Sequence, residues 1–288
     1  MALAFRDIVF HAQDDLPLYY RDYGDHDAPR TPLVCLGGLT RNSKDFHDFA
    51  QRYADERRVV ALDLRGRGRS GYDTNFRNYR PETYLLDIVA LLAAANLHRA
   101  VFVGTSLGGL LTMGLAAFRP SVLAGVVLND VGPAVSADGS ARIAGYVGED
   151  KRFADLDEAA EHLRGQFTGA YPDLDAPGWK RMAAATFVAD DEAGNVRLDY
   201  DLAIGKALRE QLANGATPDL WPLFGALRSI PTLLIHGARS DVLSLETVQA
   251  MRAVKPDLEI VTLANRGHTP NLDEAELLPR LDAFLERF

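Results

Sequence analysis

Short apolar runs alternate with longer stretches of helical spacing along most of this chain, and that alternation restricts the fold more than any other feature. The runs at residues 32–36, 58–62, 100–104, 123–128, 231–236 and 258–263 are rich in Val, Leu and Ile and are bounded by Gly, Pro, Asp or Asn. Strands that are apolar throughout are buried on both faces, so helices must cover a mostly parallel sheet on both sides. Residues 16–23 alternate and are expected to pair with residues 8–10 as an opening hairpin. Helices are expected at 43–53, 81–96, 107–118, 245–254 and 273–287. The second starts at Pro81, a residue suited to a first helical turn, and sets Tyr84, Leu85, Ile88, Leu91 and Leu92 on one face.

One segment breaks the rhythm. Residues 131–227 show no buried-strand pattern, while Ala, Glu, Arg and aromatic residues recur at helical spacing in 156–167, 178–187 and 201–211, with a turn signal at 190–195. A segment of this length is not a loop. The expected organisation is therefore an α/β core formed by residues 1–130 and 228–288, with a mostly helical cap at 131–227. A length of 288 residues suits one large domain with such an insertion, and 47% hydrophobic with 25% charged residues excludes global disorder. The net charge of −9 disfavours nucleic acid and anionic membranes as partners. A single cysteine, Cys35, excludes an internal disulfide framework or a thiolate zinc knuckle. Residues 1–10 place Arg6 and Asp7 inside a short apolar run and lack a small-residue cleavage site, and no stretch approaches membrane-spanning length. The expectation is a cytoplasmic protein with no membrane partner. Oligomeric state has no readable signal.

The sharpest local motif is Gly104-Thr105-Ser106-Leu107-Gly108, between an apolar run and a helical one. A serine on a tight strand-to-helix turn is held in a strained backbone conformation, and glycines two residues to either side let neighbouring segments pack close. Its hydroxyl projects above the sheet, where the helix N-terminus faces any negative charge that develops. The bland alternative is a small-residue turn for tight helix packing. Together with Leu36-Gly37-Gly38-Leu39, the stretch Asp63 to Ser70, Gly237 to Asp241 and Gly267-His268, in this order, the chain resembles the α/β-hydrolase superfamily over nearly its whole length apart from the cap. The resemblance implies an eight-stranded, mostly parallel sheet and a serine hydrolase.

A serine hydroxyl needs a base to take its proton and a carboxylate to orient that base. His268 suits the base role because it lies in the loop between the last strand and the last helix, where such folds place the imidazole. His236, at the end of a strand, is its rival, and reads better as a buried structural histidine. Asp241, in the loop after the strand at 231–236, is the expected acid and gives the order Ser, Asp, His. Asp130, after the preceding strand, is the alternative acid, since some members use that position. The oxyanion donors implied are the main-chain N–H groups of Leu39 and Leu107. Gly37 stands where many relatives carry histidine, which leaves open that Gly37-Gly38 is a flexible turn. Pocket-wall candidates in the cap are Tyr146, Phe153, Phe167, Tyr171, Trp179, Phe187, Trp221 and Phe224, each of which also reads as ordinary cap core.

Two motifs point elsewhere and fail on context. Gly66-Arg67-Gly68-Arg69-Ser70-Gly71 follows a strand and has Asp87 about twenty residues on, but a dinucleotide fingerprint must open a helix, and residues 72–80 are too polar for one. Arg65, Arg67 and Arg69 lack the interleaved aromatics of a nucleic-acid patch. They read instead as residues that hold neighbouring loops together. The expected function is cofactor-independent, metal-free hydrolysis of a small carboxylic ester through an acyl-enzyme. Enol-lactone hydrolysis, carbon–carbon bond hydrolysis of ring-cleavage products, and a non-catalytic ligand receptor on the same fold remain the alternatives.

Overall fold

The computed structural model describes residues 5–213 and 219–288. Residues 1–4 of the N-terminal run and residues 214–218 of the inserted segment lie outside the described residues. The chain opens with strands β1 (Arg6–His11) and β2 (Pro17–Tyr23), paired antiparallel as the alternation requires. It continues through β3 (Leu33–Leu36), α1 (His47–Tyr53), β4 (Val59–Asp63), α2 (Pro81–Ala94), β5 (Ala100–Thr105), α3 (Leu107–Phe118) and β6 (Leu123–Asn129). Every residue of β3, β4, β5 and β6 is buried, which is why these strands carry no polar alternation.

The inserted segment follows as α4 (Ala137–Tyr146), β7 (Arg152–Phe153), α5 (Leu156–Phe167), α6 (Ala176–Thr186), β8 (Phe187–Asp190), β9 (Asn195–Leu198), α7 (Ala203–Ala213) and α8 (Trp221–Gly225). The core resumes with β10 (Thr232–Gly237), α9 (Leu245–Val254), β11 (Glu259–Leu263) and α10 (Leu278–Leu285). The last helix begins five residues later than the spacing suggests. The intervening turn is held by the Glu274 carboxylate, which accepts from the N–H groups of Asn271 and Leu272 and from Arg266.

The main sheet has the order β1-β2-β4-β3-β5-β6-β10-β11, with β2 antiparallel to both its neighbours and the remaining pairs parallel. Successive residues of one strand face opposite layers. In β3, Val34 and Leu36 join the layer of α2, α3 and α9, and Leu33 and Cys35 join that of α1 and α10. Among the described residues, no helix is long and apolar enough to cross a membrane.

The inserted segment differs from the mostly helical expectation in two respects. It contains a small antiparallel sheet of order β7-β9-β8, whose strands of two to four residues are buried only at Phe187 and Val196 and so leave no buried run in the sequence. The turn signal at 190–195 is the bend between β8 and β9. The segment is also not one packing unit. Val147, Tyr200, Ile204, Ala207 and Phe224 extend the main core, while α5, α6 and the small sheet enclose a separate cluster that includes Leu163, Trp179 and Phe187.

Candidate active site

Ser106 sits between β5 and α3 with φ 52° and ψ −116°, a left-handed conformation that a side chain makes costly. The motif's glycines make this turn possible by close approach. A Cβ on Gly104 would lie 2.6 Å from the Gly108 backbone, and one on Gly108 would lie 2.1 Å from the Leu36 carbonyl. The Ser106 N–H is held by the Asn129 carbonyl at 3.1 Å, which ties the elbow to the end of β6.

His268 Nε2 lies 2.9 Å from Ser106 Oγ, and His268 Nδ1 lies 2.8 Å from Asp130 Oδ2. Because a carboxylate only accepts, Nδ1 carries the proton and Nε2 is left to accept from the serine hydroxyl. Asp130 is completely buried, with φ 54°, at the end of β6. Its carboxylate also accepts from the Gly237 N–H at 2.8 Å and the Ser240 hydroxyl at 2.6 Å, so both oxygens are anchored to the end of the neighbouring β10.

The expectation that Asp241 partners the histidine is corrected by this geometry. Asp241 lies one strand further along the sheet, its side chain 41% exposed and gripped on both oxygens by the Arg142 guanidinium. Although burial alone would raise it, that guanidinium holds the Asp241 carboxyl below the usual carboxylate range. Asp130, the alternative, is the residue brought to His268, from the end of β6, which lies between the Ser106 strand β5 and β10.

The loop after β3 brings Leu39 to the same end of the sheet. Among the described residues, no protein acceptor takes the N–H of Leu39 or of Leu107, so both donors are available. The loop is braced. The buried Arg67 donates to the Leu39 carbonyl at 2.9 Å, and the Arg41 N–H donates to the Gly38 carbonyl. Arg65, also fully buried, pairs with Asp14, Asp73 and Asp87. Beneath the loop, Asp63 accepts from the Ser43 and Arg69 N–H groups, and burial pushes its carboxyl up to about 6.

A cavity of about 690 Å³ opens on Ser106, its walls including Leu39, Tyr146, Tyr171, Met182 and Phe187. Trp179 and Trp221 are not on its walls, contrary to expectation. Trp179 packs edge-on to Tyr171 inside the cluster of the inserted segment, and Trp221 packs edge-on to Phe224 against the main core. His236 is buried, with Nε2 at the Leu243 carbonyl.

Two residues of the cavity, Arg41 and Arg142, had no motif to mark them in the sequence, and Tyr171, a pocket-wall candidate, takes a further role. Arg41 donates to both oxygens of Asp45 and to the Thr186 hydroxyl, linking the loop to α6. Arg142 projects from α4. Tyr171 donates to the Thr269 carbonyl at 2.7 Å and accepts the Thr269 N–H at 3.0 Å, gripping the residue after His268 from the inserted segment. The adjacent Ala170 carbonyl accepts the Gly267 N–H at 2.8 Å, so the histidine loop is clamped on both sides.

A family model described as "Alpha/beta hydrolase family" matches residues 33–280. The chain is 34% identical to the 3-hydroxybutyrate-oligomer hydrolase of Cupriavidus necator over 90% of its own length and 89% of that protein. It is 27% identical to the 2-(acetamidomethylene)succinate hydrolase of Mesorhizobium japonicum, over 83% of this chain and 82% of that one. The crystal structure of an alpha/beta hydrolase from Novosphingobium aromaticivorans superimposes with a TM-score of 0.93 at 43% identity, with both chains covered in full.

Proposed function

The chain belongs to the alpha/beta-hydrolase family, and from that premise we propose that it is a serine hydrolase of small carboxylic esters, with Ser106 as nucleophile, His268 as general base and Asp130 as the orienting acid. The observation that carries this reading is the unbroken line from Asp130 Oδ2 through the imidazole to Ser106 Oγ, at 2.8 and 2.9 Å. Ser106 Oγ attacks the ester carbonyl while His268 Nε2 takes its proton, and Asp130 stabilises the imidazolium. The carbonyl oxygen becomes an oxyanion, received by the N–H groups of Leu39 and Leu107 at the positive end of α3. The intermediate collapses, the C–O bond breaks, and the imidazolium returns the proton to the leaving alkoxide. Water, deprotonated by the same histidine, then releases the acid and restores the serine. The chain's own atoms supply every proton transfer, so no cofactor enters the scheme.

The residues of the inserted segment act as the cap over this site and set its shape through Tyr146, Met182 and Phe187. A cavity of about 690 Å³ suits a small ester. The 3-hydroxybutyrate-oligomer hydrolase makes esters of short hydroxyacids the first to assay. The test is labelling with a fluorophosphonate followed by peptide mass mapping. Stoichiometric modification at Ser106, lost in Ser106→Ala together with ester hydrolysis, is expected. An inert Ser106 in the folded protein would refute the reading and favour a ligand receptor.

A further inference from the structure

The cavity carries cationic groups that acyl transfer does not use, in a chain of net charge −9. Six Lys and Arg residues line it, Arg21, Arg41, Lys44, Arg142, Lys151 and Arg181, and three of them are held by neighbours. Lys44 is held by Asp199 and by the carbonyls of Ala184 and Phe187, Lys151 by Glu149, and Arg41 by Asp45 and Thr186. Arg142 differs in how its guanidinium is engaged. Asp241 occupies the Nε–Nη2 edge, with Nη2 at 2.9 Å, and no protein acceptor among the described residues takes Nη1. A planar guanidinium offers two edges that each match a carboxylate, and the Nη1–Nη2 edge has no carboxylate partner among the described residues.

The surroundings fix that edge in place. The Ser136 hydroxyl caps α4 by accepting the Gly139 N–H and also donates to the Asp241 carbonyl, which ties the helix start to the loop that carries Asp241. Tyr146, one turn beyond Arg142, lies with its ring centre 6.0 Å from the guanidinium carbon. The wall is continuous with the nucleophile. Arg142, Tyr146, Arg41 and Ser106 line the same cavity, and a Cβ on Gly38 would lie 3.4 Å from the Arg41 side chain and 3.6 Å from Ser106 Cβ.

We propose that Arg142 is a specificity-determining residue that takes the free carboxylate of an acid-terminated ester through its Nη1–Nη2 edge. The preferred substrate class is then a short hydroxyacid ester with its carbonyl at Ser106 and its carboxylate at Arg142, cleaved with water to an acid and a hydroxyacid. This inference rests on the serine-hydrolase reading. Asp241 occupies the other edge of the guanidinium, which bonds its carboxylate away from the histidine.

The test compares a 3-hydroxybutyrate dimer carrying a free carboxylate with the same dimer capped as its primary amide, in the wild type and in Arg142→Gln and Asp241→Asn. The ratio of kcat/KM for acid over amide cancels any general loss of activity. A charge-assisted, two-bond contact is expected to favour the acid by about tenfold to a hundredfold, mainly through KM. Arg142→Gln should bring the ratio to near one. Asp241→Asn, which keeps the guanidinium and removes its competitor, should preserve or raise it. Equal rates for acid and amide in the wild type, or the same fall in ratio for both variants, would overturn the proposal. Hydrolysis of neutral 4-nitrophenyl butyrate by the wild type and not by Ser106→Ala separates that failure from a failure of the serine-hydrolase reading.

Discussion

Replacing Asp130 by Asn tests the site at its least exposed point. The carboxylate accepts from three donors, His268 Nδ1, the Gly237 N–H and the Ser240 hydroxyl. An amide oxygen left on Gly237 turns its NH2 toward the imidazole. Nδ1 must then accept, which places the ring proton on Nε2, facing Ser106, and the base can no longer take the serine proton. In serine proteases the same exchange costs about 10⁴ in turnover, or about 5.5 kcal/mol of transition-state stabilisation. The Ser240 hydroxyl can rotate to accept from the new amide, so the cost in stability should stay within about 1–3 kcal/mol. Asp241→Asn removes one member of a pair whose side chains are 36% and 41% exposed, and such pairs contribute about 0–1 kcal/mol. Its effect on a neutral ester should be within about threefold. The assay is steady-state hydrolysis of 4-nitrophenyl butyrate with thermal unfolding measured beside it. If Asp241→Asn collapses turnover at unchanged melting temperature while Asp130→Asn does not, the assignment of the acid to the end of β6 is refuted.

Tyr171→Phe removes both hydrogen bonds that hold Thr269 and should lower kcat about tenfold to a hundredfold, with KM for a small ester little changed. A parallel fall in fluorophosphonate labelling would identify a misplaced imidazole, and an effect confined to KM would refute the positioning role. Gly108→Ala drives a Cβ into the Leu36 carbonyl and should destabilise the fold by about 3 kcal/mol or more, read by chemical denaturation; a neutral outcome would contradict the packing at the elbow. Asp63 has its carboxyl pushed up by burial to about 6 from an ordinary 3.8, so the folded state binds the proton more tightly than the unfolded one. The stability its protonated form supplies is present below about pH 4 and is lost as pH rises through about 6. The stability of the wild type minus that of Asp63→Asn should therefore fall by about 3 kcal/mol between pH 3.5 and 7. A difference that is flat or rises with pH would refute this.

Much of the architecture was legible because it rests on local rules. Buried parallel strands have a composition of their own, and the spacing of Gly104 and Gly108 around Ser106 reflects contacts within one strand, turn and helix and with the strand beside them. The loop role given to Arg65 and Arg67 was likewise readable, since the stretch after Gly71 is too polar to form the helix that a nucleotide fingerprint needs. Strand order is not local. Whether Asp130 or Asp241 meets His268 depends on Gly237 and Ser240, at the end of β10, turning inward to anchor the carboxylate at the end of β6 while Arg142 of the inserted segment draws the other outward. The pocket walls were legible only in part for the same reason. Trp179, Trp221, Tyr146 and Phe187 share an apolar, aromatic character and all pack on core clusters, and only packing lets Tyr146 and Phe187 line the cavity as well. Composition determines that such side chains leave water, because burial energy depends on area and not on direction. Which surface each one covers is decided by contacts between residues far apart in the chain, and those exist only once the sheet has assembled.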